Sequence, residues 1–150
     1  MKYLIILILC LCSFNVNAQK IYNGNSPLYS NIICNVKNNA LYNRSSSMNS
    51  DIIIRFDGKY VYRGNSKLNY DIIGTWHNDK FYDGKSTLTS DILITYRNGK
   101  FYKGNSTLTS DILYTYKNNK IYKGNSTLTS DIILTTEHNV HPIYIILILL

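Results

Sequence analysis

Three histidines, three cysteines and nine carboxylates are the groups in this 150-residue chain with reactive chemistry to offer. His138 and His141 stand three residues apart with Glu137 adjacent, a weak metal pair where zinc takes three or four ligands. His77 falls beside a predicted turn. No Gly-rich phosphate loop leads into a helix, and no nucleophile elbow is present. Five carboxylates, Asp51, Asp71, Asp91, Asp111 and Asp131, recur at intervals of 20 residues, with Asn31 in the sixth place. A catalytic acid written once per unit is poor chemistry, whereas a carboxylate that ties down a loop is needed in every unit. These five are therefore expected to be structural loop clamps that accept backbone N–H groups. No catalytic residue, metal ligand or cofactor site is expected, and an enzyme is not the expected class.

The spacing of the aspartates belongs to a longer period. Six units of 20 residues run 21–40, 41–60, 61–80, 81–100, 101–120 and 121–140, with Tyr at 22, 42, 62, 82, 102 and 122 and Ser at 26, 46, 66, 86, 106 and 126. Ile recurs at 32, 52, 72, 92, 112 and 132. Such a period without insertions identifies a repeat protein. Within each unit a β-branched and aromatic run such as Asp111-Ile112-Leu113-Tyr114-Thr115-Tyr116 meets a short second run, Lys120-Ile121-Tyr122. The junctions are Asn38-Asn39, Asp57-Gly58, Asn78-Asp79, Asn98-Gly99 and Asn118-Asn119, residue types that tolerate the positive φ of two-residue hairpin turns. The other connection, Gly104 to Ser110, is longer, and its one apolar residue, Leu108, is expected to plug the loop onto the core. Ile121, Tyr122, Leu128, Ile132, Ile133 and Leu134 are the expected core set of a unit.

The two ends read differently. Met1-Lys2, an apolar run from Tyr3 to Phe14, and Val16 and Ala18 at the positions a signal peptidase reads describe a signal peptide over 1–18. The run is shorter than the roughly 20 residues a helix needs to cross a bilayer. Export would remove Lys2, Cys10 and Cys12, taking the formal charge from +7 to +6 and leaving Cys34 alone, as a small apolar strand residue. Periplasmic, cell-surface or extracellular localisation follows as the expectation. At the other end 141–150 is an apolar tail, expected as a buried closing strand or an insertion into the mouth of a ring. Ile143, Ile145, Ile146, Leu147 and Leu149 are its candidates for lipid or partner contact.

All-β architecture is thus expected for 19–140: six hairpins that either close into a ring or stack as a β-solenoid. The pattern IYKGNSTLTSDILYTYKNNK resembles the repeats of the β-flower proteins, a bacterial group with hairpin petals in pseudo-rotational symmetry around a short central barrel. The resemblance extends from Ile21 to about Thr136 and departs at Pro27, Asn31, Arg44 and Met48. It implies the fold; it carries no activity onto particular residues. Choline-binding modules also use hairpins of about this length, but their cages are rich in Trp, and here Trp76 shares its column with Phe56, Tyr96 and Tyr116.

Two functional classes remain. One is an exported, non-catalytic structural or interaction module of the cell envelope. The other is a ring that binds a lipid or other apolar ligand at its axis, for which an axis filled by Ile, Leu and Tyr would be fatal. Lys and Arg gathered near turns and petal tips, such as Arg97, Lys100, Lys103, Lys117, Lys120 and Lys123, suit a solvated rim. They also suit a lipid, membrane surface or envelope polymer as partner, and export argues against nucleic acid.

Overall fold

A computed structural model describes residues 18–150, so all of the expected leader except Ala18 lies outside the described residues. Four of the five turn pairs have both residues in the left-handed region, with φ between 49° and 74°. They join strands β2 (Ile32–Lys37) and β3 (Ala40–Asn43), β6 (Ile72–His77) and β7 (Lys80–Asp83), β8 (Ile92–Arg97) and β9 (Lys100–Lys103), and β10 (Ile112–Lys117) and β11 (Lys120–Lys123). The pair β4 (Ile52–Phe56) and β5 (Tyr60–Arg63) differs. Its turn is shifted one residue from the expected Asp57-Gly58, and Gly58 takes φ 100°. The Asp57 carboxylate replaces a main-chain acceptor there, taking N–H bonds from Lys59 at 2.9 Å and Tyr60 at 2.7 Å.

The sixth hairpin has no turn. It is assembled from the chain ends, β1 (Gln19–Asn23) lying antiparallel to β12 (Ile132–Thr136) with Ile21 opposite Thr136 and Asn23 opposite Leu134. This register copies the continuous hairpins, where Tyr116 faces Ile121 and Tyr114 faces Lys123. Glu137 N–H donates to the Lys20 carbonyl at 2.9 Å, and the Lys20 ammonium lies 3.6 Å from the Glu137 carboxylate, so a main-chain bond and an ion pair stand in for the missing turn. Twelve strands, each bonded to its sequence neighbour, therefore form a closed antiparallel barrel. Closure leaves no free sheet edge, and it excludes the solenoid alternative.

Numbering each unit 1 to 20 from Ile21, position 1 faces the axis: Ile21, Leu41, Val61, Phe81, Phe101 and Ile121 are at most 3 % exposed. Position 2, the repeated Tyr, faces outward and is buried beneath the long loops. A β-bulge recurs at position 13 in all six units, so that Tyr opposes Ile at 12 while position 1 opposes residue 14. The extra residue lets 12 face out and 14 face in, although strict alternation would put both on one side. The Ile132-Ile133-Leu134 core expected from sequence is divided accordingly. Leu134 joins the axial core, Ile133 packs partly against it, and Ile132 belongs to the outer layer. Ala40, Tyr42 and Ile52 form one such outer cluster.

Eight strands fill a barrel with side chains alone; twelve leave a lumen. The tail fills it. Instead of a closing strand, Pro142–Leu149 is an α-helix, α1. The closed barrel offers no edge, so this backbone must bond to itself. Pro142 occupies the first turn and the His141 ring nitrogen Nδ1 accepts the Ile143 N–H at 3.2 Å. Ile143 and Ile145 are fully buried, with Tyr144 and Ile146 nearly so, against inward residues that include Leu41, Val61, Phe81 and Phe101. Burial pushes the Tyr144 phenol up to about 12. Gly74 makes room in the same layer: a Cβ there would stand 2.2 Å from the Phe81 ring. The axis on which an apolar-ligand ring depends is thus occupied by Ile and Tyr of the chain itself, which overturns that alternative.

Replacing Ile145 by Ala removes a plug side chain that cannot be compensated by collapse of a hydrogen-bonded wall. Denaturant unfolding is expected to show a loss of about 2–5 kcal/mol. Arg44 takes φ 51° where the other five units carry Gly. Arg44→Gly should therefore raise the melting temperature, by an amount equivalent to about 1 kcal/mol, and no gain would mean that Arg44 makes a compensating contact.

Candidate functional site

The long loops carry the aspartate column. In five units the Ser at position 6 donates its hydroxyl to Asp at position 11, over 2.5 Å for Ser46–Asp51, Ser66–Asp71 and Ser86–Asp91, and likewise for Ser106–Asp111 and Ser126–Asp131. The same Ser accepts a backbone N–H from position 8, as Leu88 donates to Ser86 at 3.0 Å. The carboxylate therefore takes hydroxyls where backbone N–H groups were expected, and serine relays the backbone contact. In the first unit Asn31 instead donates its amide to the Ser26 carbonyl at 3.4 Å. Hydrogen bonds from Ser86 and then Ser90 hold the Asp91 carboxyl below its ordinary range.

Asp57 is held low as well. Burial opposes ionisation there, but the N–H groups of Tyr60 and Lys59 and the Tyr62 hydroxyl, which donates at 2.8 Å, outweigh it.

Position 8 is the clearest departure from expectation. Leu108 does not plug the core; it is 65 % exposed, and Leu28, Met48, Leu68, Leu88 and Leu128 are 52–66 % exposed. The N–H and carbonyl of this residue are both used, the first by Ser and the second by the N–H of position 11, as in Asp111 to Leu108 at 3.0 Å. Its backbone is extended as the N-cap of the one-turn 3-10 helix that follows, and its side chain is left in solvent. Apolar side chains therefore recur on the outer loops six times over. Hydrophobicity alone implied burial, and the only sequence signal against it was that the neighbours at 7, 9 and 10 are mostly Ser, Thr and Asn.

The tail candidates divide. Ile143, Ile145 and Ile146 are sealed inside the barrel and cannot meet a lipid or partner, whereas Leu147 and Leu149 are half-buried near the open end where Leu150 is 70 % exposed. A small cavity of about 50 Å³ at this end is lined by Leu113, Tyr114, Leu149 and Leu150. Cys34 faces the axial core, and burial pushes its thiol up to about 11, an unreactive state. No group of three or more metal-binding side chains occurs among the described residues. His77 lies beside Asn78 at a turn, and His141 packs its ring against Phe56 at 5.2 Å and Trp76 at 5.3 Å.

The opposite end of the barrel, where the tight turns lie, is polar and cationic. Positions 17 to 20 carry Lys20, Lys37, Lys59, Lys80, Arg97, Lys100, Lys117 and Lys120 against Asp57, Asp79 and Glu137, a balance of +5, although the Lys80 and Lys100 ammonium groups turn to the long loops, donating to Asn105 at 2.7 Å and Asn125 at 2.5 Å. On the loop side, positions 3 to 11, six basic residues are balanced by six aspartates. The segment entering the lumen crosses the cationic mouth and divides it into two grooves that share Asn139. One, of about 280 Å³, is lined by Lys37, Asn38, Asn39, His141 and Tyr144; the other, of about 340 Å³, by Tyr96, Tyr116, Lys117, Asn118 and Asn119. Tyr116 is fixed here, its hydroxyl accepting the Val140 N–H at 3.0 Å.

Because the folded-state carboxyls of Asp57 and Asp91 lie low, their contribution to stability is complete above the unfolded value of about 3.9 and is lost as pH falls through the lowered values. Melting temperatures measured from pH 7 to pH 2.5 should fall at the acid end. The double variant Asp57→Asn, Asp91→Asn should show a shallower acid limb, and an unchanged limb would exclude these two groups as its source.

In comparison with known families, the model of a 6-fold beta flower protein aligns with residues 21–148. Neither the curated proteins nor the solved structures yielded a match to the chain.

Proposed function

From the premise that the chain belongs to the 6-fold β-flower family, we propose that it is an exported, non-catalytic interaction module of the cell envelope whose contacts are made by its outer surfaces. The observation that carries this reading is the apolar side chain at position 8, 52–66 % exposed in all six units. It adds nothing to the core, and six exposed copies favour association over solubility. Its plainest use is contact with a partner or membrane surface. The carboxylates support a non-catalytic reading, since the five repeated ones are each engaged by a serine of their own loop. The apolar segment before Gln19 supports export.

Fractionation of cells making the tagged full chain tests both halves. The protein is expected in an exported fraction with Gln19 as its first residue, and a cytoplasmic protein retaining Met1 would defeat the export half. A variant with Ser at all six position-8 sites should keep its melting temperature within about 3 °C while leaving the envelope fraction. Retention in the envelope with the six serines in place would defeat the contact half.

A further inference from the structure

We infer that the tight-turn mouth of the barrel is a binding site for an acidic polysaccharide, with sugar rings in the two grooves beside Asn139 and carboxylates on Lys37 and Lys117. This deepens the interaction-module reading by assigning a partner chemistry to one end of the molecule.

The charge distribution is the first support. The described residues carry +6, and +5 of it lies in the turn segments; with the Lys80 and Lys100 ammonium groups drawn to Asn105 and Asn125 of the long loops, the mouth itself keeps +3. Crowding like charges costs stability through self-repulsion. A rim serving solubility alone would mix its signs, as the loop side does with six of each. Lys37 and Lys117 sit at equivalent places in their units, one on each groove.

Groove chemistry is the second. Exposed large apolar residues belong to the loops, the bulges and the C-terminus, such as Leu88, Leu93 and Leu150, so the mouth offers little to an acyl chain. It offers amides. Asn38, Asn39, Asn118 and Asn119 all hold positive φ, between 51° and 59°, where Gly would be less strained. Asn at these sites adds a donor and an acceptor that Gly lacks, the pairing that sugar hydroxyls need. Tyr96, half-buried, gives the second groove ring surface. Each groove, at about 280 and 340 Å³, has room for about one sugar-sized unit. Because Asn139 borders both, a chain crossing it engages the two grooves at once, and affinity should rise with chain length.

Fluorescence anisotropy on the purified chain starting at Gln19 provides the test, with labelled galacturonate oligomers of about two and about eight sugars as probes. Tight binding of the longer oligomer, weakened by salt, is expected, with the shorter one bound at least about tenfold more weakly and neutral dextran not bound. The double variant Lys37→Gln, Lys117→Gln should lose at least about tenfold in affinity. Lys67→Gln with Lys85→Gln, on the loop side, should change it less than about twofold. Asn139→Ala should weaken binding while leaving the salt dependence unchanged. Galacturonate binding that ignores the Lys37 and Lys117 changes would overturn the site. Equal binding of a single-stranded oligonucleotide, or of phosphatidylglycerol vesicles, would overturn the ligand class. Binding here is read without cells, so a failure of export or of the position-8 contacts leaves it standing, and its own failure leaves those intact.

Discussion

A barrel wall of twelve strands cannot be filled by its own side chains, and this constraint governs the rest of the molecule. The sequence supplies an eight-residue helix to occupy the lumen, and its buried part, Ile143 to Ile146, is apolar on every side because wall surrounds it on every side. That all-round character would be wrong for a surface helix, which needs a polar face. The inward column at position 1 is adjusted to the plug unit by unit, from Val61 to Phe81 and Phe101, and Gly74 yields its place to the Phe81 ring. Symmetry of backbone and asymmetry of packing coexist because a single helix cannot present six identical faces.

The wall in turn depends on local chemistry repeated in each unit. Asn and Gly at the turns accept left-handed backbone, the bulge at position 13 reverses facing between 12 and 14, and the Ser–Asp pair fixes the long loop. Threonines at position 15 then join loop to wall, Thr75, Thr95, Thr115 and Thr135 donating to the carbonyls of Gly84, Gly104, Gly124 and Gly24. The last of these spans the two chain ends at 2.7 Å, which makes the turnless petal equivalent to the others.

Periodicity made the hairpins, the turns and the number of petals legible, because each rests on residues within one unit. Features arising between distant residues were harder to read. The tail's Ile and Leu content left a closing strand and an insertion into the mouth of the ring both open; the inserted helix follows from the absence of any edge left to pair with, a property of the finished barrel. Leu108 looked like a plug because apolar residues in loops usually are, and only the extended backbone that sets it ahead of the 3-10 turn, with its side chain in solvent, shows otherwise. The turn expected at Asp57-Gly58 lies at Gly58 and Lys59, because Phe56 pairs with Val61 in the register of every other hairpin and Asp57 serves as the acceptor beside the turn. The polar mouth is spread over five turns and a crossing segment, and adjacency in sequence does not reveal it.

Ring closure by β1 and β12 also sets an order of events during synthesis. The strand that begins at Gln19 can pair with β2 at once, but its other edge waits until Thr136 has been made, and the plug comes later still. Until Thr136 leaves the ribosome the wall is an open ribbon whose inner face is wet. A nascent chain held back before that point keeps two unpaired strand edges, one on β1 and one on the last strand made.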